Sequence, residues 1–556
     1  MTPKIKWLLP CALLLHSCIE DVGSYSYRTI TRIDSITGIS SVDHVYEVAI
    51  GDSLHIVPTL GISFGESGAN DTFAYAWHVL GTAAPFQSVG VVSRQRELHI
   101  VVGGLLDAPR TYDMMFCATN TTTGVRYDHV FSVEVMSSQR DVGYLILHEQ
   151  ADSFDLDLIA VFGSMYTRYQ NVLTNSGSAL PKAGRRPLDL HCFPDELAPA
   201  IGEAGKHYAV WILTDQSADR IKTEDFSYLP SYSISRLVMN TRFIPNSAAF
   251  VPQKTYAPNF NATGQMGRLY AFWNGDLYFY NASRAVCFFD TPLNTLADTS
   301  TTTYPIAPYI FANPIGAILF NEQTRGFMFH KGDATSLNMN TNNLHHATAL
   351  TAYDQATGMP WSDPGYRLVY MGYRDGVSSG FAIVEHTTNS GISYQLWLLG
   401  ITFSATNPTP SQQGVQTFST YPFAGGITMD DIKFFAFHGT RPFLYMATDE
   451  RVLCVNTTTM GVTDITAQLI TPPFGKISLM RTRSLRLPVG SGTDGLALGT
   501  YDPLQPNSVN GRLTIYSVND EGALVKAFHT QSDGSAFMLD FVNLGKVVAV
   551  DYRSPL

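Results

Sequence analysis

Charge is scarce in this chain. Lys, Arg, Asp and Glu make up only 15% of its 556 residues, the formal net charge is -11, and no extended run of Lys or Arg interrupts that balance. A nucleic-acid face is thereby excluded, because phosphates call for a basic surface. Cysteine is scarce as well, with six in the whole chain and no Cys-x-x-Cys or Cys/His pair at zinc-ligand spacing. Beyond Ser17 no apolar run approaches the roughly 20 residues of a spanning helix, so the chain past that point is expected to be water-soluble.

Catalytic signatures are missing in the same way. There is no His-Glu-x-x-His, and His345-His346 are adjacent, which denies them the i,i+4 geometry of helical metal ligands. Gly490-Ser491-Gly492-Thr493-Asp494-Gly495 lacks the Gly-Lys-Ser/Thr ending of a phosphate loop and reads as a hairpin loop. Ser532-Asp533-Gly534-Ser535-Ala536-Phe537 is the nearest fragment to the repeated turns of propeller sialidases, but it occurs once and mis-spaced. No cofactor, no metal and no catalytic residue is expected.

What is present begins at the N-terminus. Lys4-Ile5-Lys6 precedes an apolar stretch from Trp7 to Ser17 and then Cys18, the order of a lipoprotein signal peptide. Cleavage before Cys18 would make it the lipidated first residue and tether the chain to a membrane, stably if more than one acyl chain is attached. Residues 1–17 are read as the signal and 18–41 as a lipidated stalk. Cys11 leaves with the signal. Cys117, Cys192, Cys287 and Cys454 lie in or beside apolar strand-like segments and read as buried single thiols, with a disulfide as the alternative. The acidic Glu20-Asp21 after Cys18 resembles the signal that sends Bacteroidetes lipoproteins to the outer face of the outer membrane; a plain flexible stalk is the simpler alternative.

Aromatics at 12%, together with abundant Gly and Thr, favour pleated, turn-rich structure, so an all-β fold is expected. Between Tyr46 and Met136 apolar residues alternate with period two. Leu54 and Ile56 share a face, as do Phe73, Tyr75, Trp77 and Val79, then Leu98, Ile100 and Val102, then Tyr112, Met114 and Phe116, then Phe131, Val133 and Val135. The last two strands meet across Thr121-Thr122-Thr123-Gly124. This predicts an Ig/PKD-like β-sandwich over residues 42–137.

Past a polar link the rhythm changes. Gly143-Tyr144-Leu145-Ile146-Leu147-His148 and Leu156-Asp157-Leu158-Ile159-Ala160 form a two-strand unit with an acidic turn, and similar units recur about every 55 to 60 residues. Among them, Arg268–Trp273 turns at Asn274-Gly275 into Asp276–Tyr280, a strong hairpin signal. Leu368–Gly372 is matched with Tyr394–Leu398 in another. Divergent units at this period predict a β-propeller of about seven blades over residues 142–556, its final strands completing a blade begun near Gly143. A row of further sandwiches is the rival.

Candidate site residues are few. Glu149, Asp152, Asp155 and Asp157 cluster in the first unit and read as a solvated hairpin tip, with a calcium site or a glycoside-hydrolysing carboxylate pair as alternatives. Trp361 and Tyr366, flanking Asp363-Pro364-Gly365, could stack on a sugar or hold a peptide, or else pack a core.

The layout as a whole, from Leu14-Leu15-His16-Ser17-Cys18 through Glu20-Asp21-Val22-Gly23-Ser24-Tyr25-Ser26-Tyr27 to the Tyr46–Leu54 sandwich opening and the long β remainder, resembles the PKD-like lipoproteins of Bacteroidetes. That resemblance implies an outer-membrane, outward-facing accessory of a SusC/SusD-type uptake system that captures glycan or peptide or docks on the transporter. A non-enzymatic binding protein is therefore expected, and a propeller hydrolase using funnel carboxylates is the alternative.

Overall fold

The computed structural model describes residues 30–40, 45–49, 52–65, 72–81, 87–106, 110–136, 143–162, 165–195, 207–223, 225–258, 268–281, 289–296, 301–313, 315–331, 346–350, 357–374, 379–404, 407–419, 421–482, 495–530 and 535–553. The chain divides into two compact units, Met1–Ser138 and Gln139–Leu556. Cys18, Cys287, His345 and the signal peptide lie outside the described residues. Among the described residues no helix is long and apolar enough to cross a membrane.

The first unit is a β-sandwich. One sheet runs Tyr46–Ala49, Arg126–Met136, Arg110–Asn120, Phe73–Leu80, Ser88–Ser93, with the outer pair Tyr46–Ala49 and Arg126–Met136 parallel. Ser53–Ile56 pairs with Leu98–Val101 apart from it. The period-two faces converge as expected: Leu54, Ile56, Trp77, Val79, Leu98, Val102, Tyr112, Met114, Phe116, Phe131, Val133 and Val135 form one core. Trp77 is fully buried, its ring 4.6 Å from Phe116, and its indole N–H donates to the Gln95 carbonyl at 3.0 Å. The Thr121–Gly124 turn is closed by Asn120, whose side-chain oxygen accepts from the Thr122 and Thr123 amides.

One boundary differs from expectation. The stretch assigned to a stalk contains the strand Arg32–Thr37, paired with Thr59–Ser63, and Ile33 and Ile39 join the sandwich core. The single buried position in the pattern of that strand, among polar neighbours, is too weak a periodic signal to reveal it from sequence.

The second unit is a succession of radial antiparallel sheets. The first comprises Met165–Tyr169, Phe154–Phe162, Gly143–Glu149 and, closing it, the chain's last described strand, Val547–Arg553. Sheets led by Pro187–Asp195, Lys254–Tyr256 and Phe311–Ala312 follow. An eight-stranded sheet comes next, its halves led by Tyr366–Arg374 and Phe434–Phe437 and joined by a single parallel pairing of Arg374 with Phe437. Lys476–Arg481 leads the last. Divided at that junction, the radial sheets number seven among the described residues, besides a separate two-stranded pair, Phe528–Thr530 with Ala536–Met538.

The leading strands neighbour one another. Pro187–Asp195 lies against Val547–Arg553 and Lys254–Tyr256, Phe434–Phe437 against Tyr366–Arg374 and Lys476–Arg481, and Lys476–Arg481 against Val547–Arg553. With the C-terminal strand paired to the first sheet, the ring is closed, which is the architecture of a β-propeller. Apolar clusters fill the spaces between successive sheets, such as Leu145, Leu156 and Leu158 with Leu190, Val210 and Ile212.

Two pairings differ from the sequence reading. Ser379–Thr388 lies between Tyr366–Arg374 and Gly391–Ser404, so the segments matched above are not neighbours. Of the two terminal segments, only Val547–Arg553 completes the first sheet; Asp540–Leu544 pairs with Gly511–Val518 in the last. Cys117, Cys192 and Cys454 are buried free thiols, and burial pushes Cys117 up to about 12 and Cys454 to about 11.

Candidate functional site

The six candidates named from sequence do not form one site. Trp361 and Tyr366 are core residues, 5% and 1% exposed, packed with Phe327 and Trp397 at ring distances of 5.4 to 6.4 Å. Their place beside a Pro-Gly turn suggested exposure, but the turn carries them between two sheets. Glu149 is half-buried, 3.6 Å from Lys546, and Asp152 is exposed.

Nor is the acidic cluster a solvated tip. Asp155 and Asp157 belong to the strand Phe154–Phe162 and are almost fully buried. Asp155 accepts from the Leu173 amide at 2.9 Å and from Lys182 at 2.7 Å. Asp157 accepts from the Asn171 amide at 2.9 Å, Arg168 Nε at 2.9 Å and His148 Nε2 at 3.1 Å. Burial alone would raise the Asp157 carboxyl, but these partners outweigh it and hold it below the ordinary range. Gly545 donates its amide to His148 Nδ1 at 3.3 Å and Arg168 donates to the Val542 carbonyl at 2.8 Å, so the network ties the first sheet to the chain's closing segment. Its role is structural.

The side chains that do converge come from the leading strands. A cavity of about 180 Å³ is lined by Asp189 and His191, Lys254 to Ala257, Ile310 just before Phe311–Ala312, Tyr370, Gly372 and Tyr373, Phe435 and Ala436, and Arg481 and Thr482. Six successive sheets thus contribute to one space on the propeller axis. Alternation places Asp189 and His191, two apart on one strand, on the same face.

Asp189 is the ionic centre. Its carboxylate faces His191 Nε2 at 3.2 Å and Arg481 Nη2 at 3.6 Å, and it accepts the Leu190 amide at 2.8 Å. Burial opposes ionisation, yet His191, Arg481 and that amide prevail and keep the group far below the usual carboxylate range. His191 also meets Thr255 Oγ1 at 2.9 Å, and its buried Nδ1 has no partner among the described residues.

Lys254 sits differently. Its ammonium donates to the Pro308 carbonyl at 3.3 Å and lies 4.2 Å from the centre of the Tyr309 ring and 5.3 Å from that of Tyr256. No ion pair to Lys254 occurs among the described residues. Burial draws its pKa down to about 8, against the pull of Asp189. Tyr256 also donates to the Pro308 carbonyl, and burial first, then the neighbouring tyrosines and Asp189, hold its hydroxyl protonated. Tyr370 stacks on Phe435 at 4.6 Å and completes an aromatic wall. No sequence motif marks these residues, which are drawn from successive segments about 45 to 65 positions apart and united only by ring closure.

Residues 18–183 match the PKD-like family. The PKD-like match takes in the sandwich and continues through the strands Gly143–Glu149, Phe154–Phe162 and Met165–Tyr169 of the first propeller sheet. No curated protein matches the chain. Among solved structures it is similar to a quinoprotein alcohol dehydrogenase-like protein from Bacteroides thetaiotaomicron, at 8% identity and a TM-score of 0.34 over 95% of this chain and 100% of that one. It is similar to apo AztD from Citrobacter koseri at 9% identity and 0.32, over 87% and 100%. A third similar chain is PorZ, a surface component of the type-IX secretion system of Porphyromonas gingivalis, at 8% identity and 0.21, over 78% and 70%.

Proposed function

We propose that this chain is an outer-membrane surface lipoprotein, anchored through Cys18, that captures a nutrient ligand without chemical turnover and serves a SusC/SusD-type uptake system. The observation that carries the binding part is the axial cavity itself, a concave site with aromatic walls and a few convergent polar groups supplied by six sheets. The signal-like Lys4 to Cys18 segment supports the anchor. A hydrolase reading would ask for two carboxylates facing one ligand across about 5 to 10 Å. Among the described lining residues Asp189 is the one carboxylate, and it is engaged by His191 and Arg481.

Two measurements test this. Purified protein incubated with a panel of glycans and peptides should bind a member and release no product; products in the absence of other enzymes would overturn the binding assignment. Cys18→Ala should move the protein from the membrane pellet to the soluble fraction, and a variant that still sediments fully would refute the anchor.

A further inference from the structure

The axial cavity is unusual for its charge. The chain is acidic overall, at -11, yet three nitrogen-bearing side chains, Lys254, Arg481 and His191, line this space against the single carboxylate of Asp189. Asp189 is already shared between His191 and Arg481, so Lys254 is left with a carbonyl and two aromatic faces. A half-buried ammonium without a carboxylate partner is costly unless a further anion completes its surroundings. The remaining lining offers aromatic faces and hydroxyls: Tyr256, Tyr370, Phe435, Thr255 and Thr482. These match the apolar C–H face and hydroxyl edge of a sugar ring. The cavity, about 180 Å³, has room for a hexose-sized unit.

We infer that the axial cavity binds a carboxylate-bearing sugar unit of the uronic-acid class, with Lys254 contacting the carboxylate and the aromatic wall contacting the ring. This rests on the binding function proposed above and names its ligand class. Asp189 has a defined part in it: it holds His191 in place and pairs with Arg481, which leaves Lys254 as the main anion contact. The buried Nδ1 of His191 is available to a sugar hydroxyl.

Galacturonate and its trimer, galactose as the neutral counterpart, and a glutamate-containing tripeptide are titrated calorimetrically into the full-length protein, the Lys254→Met and Lys254→Arg variants and a His191→Gln control. Galacturonate should bind at least tenfold more tightly than galactose, Lys254→Met should weaken it at least tenfold, and Lys254→Arg should retain most of the affinity. Lys254 meets Tyr256, Tyr309 and the Pro308 carbonyl, and Asp189, His191, Tyr370 and Arg481 share its cavity. With wild type, galacturonate affinity should fall as pH rises through about 8, where Lys254 loses its proton, and His191→Gln should keep that dependence. The wild-type pH profile also serves if Lys254→Met fails to fold.

Equal affinity for galactose and galacturonate, or affinity indifferent to Lys254→Met and flat with pH, overturns the acidic-sugar assignment while leaving ligand capture intact. Tighter binding of the glutamate tripeptide overturns the sugar part. Failure of every glycan and peptide in the wider panel overturns ligand capture itself, and the acidic-sugar assignment with it.

Discussion

Asp540 gathers more donors than any surface carboxylate needs. Arg512 donates through Nε at 2.7 Å and Nη2 at 2.5 Å, Lys526 at 2.6 Å and Thr514 at 2.9 Å. Burial would raise its carboxyl, but these bonds and the Arg512 charge carry it well below the usual range. Because the folded value is depressed, its stabilisation is present above the unfolded value near 3.8 and disappears as pH falls through the folded one. Asp540→Asn should cost about 2 to 3 kcal/mol, since Arg512 and Lys526 lose their carboxylate. Denaturant unfolding at pH 7 and pH 3 checks this, and the variant should differ less from wild type at pH 3. Such residues were not legible in the sequence. For the same reason Asp155 and Asp157 were read as part of a solvated hairpin tip, since their partners Lys182, Arg168 and His148 come from separate segments.

At the scale of elements, legibility followed burial. Sandwich strands bury one face, so period two wrote itself into Phe73–Leu80 and Arg126–Met136. Propeller strands such as Gly143–Glu149 and Gly495–Tyr501 are covered on both faces, which erases alternation and leaves only apolar runs. Turns stayed readable where chemistry demands a left-handed backbone, as at Asn274-Gly275, whose φ values are 53° and 83°. The joint between Asp540–Leu544 and Val547–Arg553 was not. There a Cβ on Gly545 would fall 1.5 Å from the Glu149 carbonyl oxygen. Gly545→Ala should therefore force the two segments apart, break the Gly545 to His148 hydrogen bond and cost about 2 to 3 kcal/mol by overpacking. Thermal unfolding measures it; an unchanged midpoint would show that the backbone yields freely.

For the whole molecule the decisive feature is closure. Val547–Arg553 pairs along its length with Gly143–Glu149, and Asp551 reaches across to accept the Cys192 amide at 2.8 Å. Deleting residues 547–553 removes one strand and opens the ring, exposing the edge of Gly143–Glu149 and the core around Ile146 and Leu513 that Val550 fills. The truncated protein should lose the cooperative unfolding transition of the propeller and be cut by protease near residue 143, while the sandwich core around Trp77 survives as a resistant fragment. A single transition like that of wild type would mean that closure contributes little.

Some of this protein was set by its sequence alone: the all-β class, the sandwich core, the recurrence of β units and the return of the last strand to the first. These follow from local periodicity and from the need of every sheet to bury its faces. The cavity was decided only in three dimensions. Asp189, His191, Lys254, Tyr370 and Arg481 form no recognisable motif, and their charges acquire meaning only when ring closure brings leading strands together, where one carboxylate is shared and one ammonium is left without a carboxylate partner.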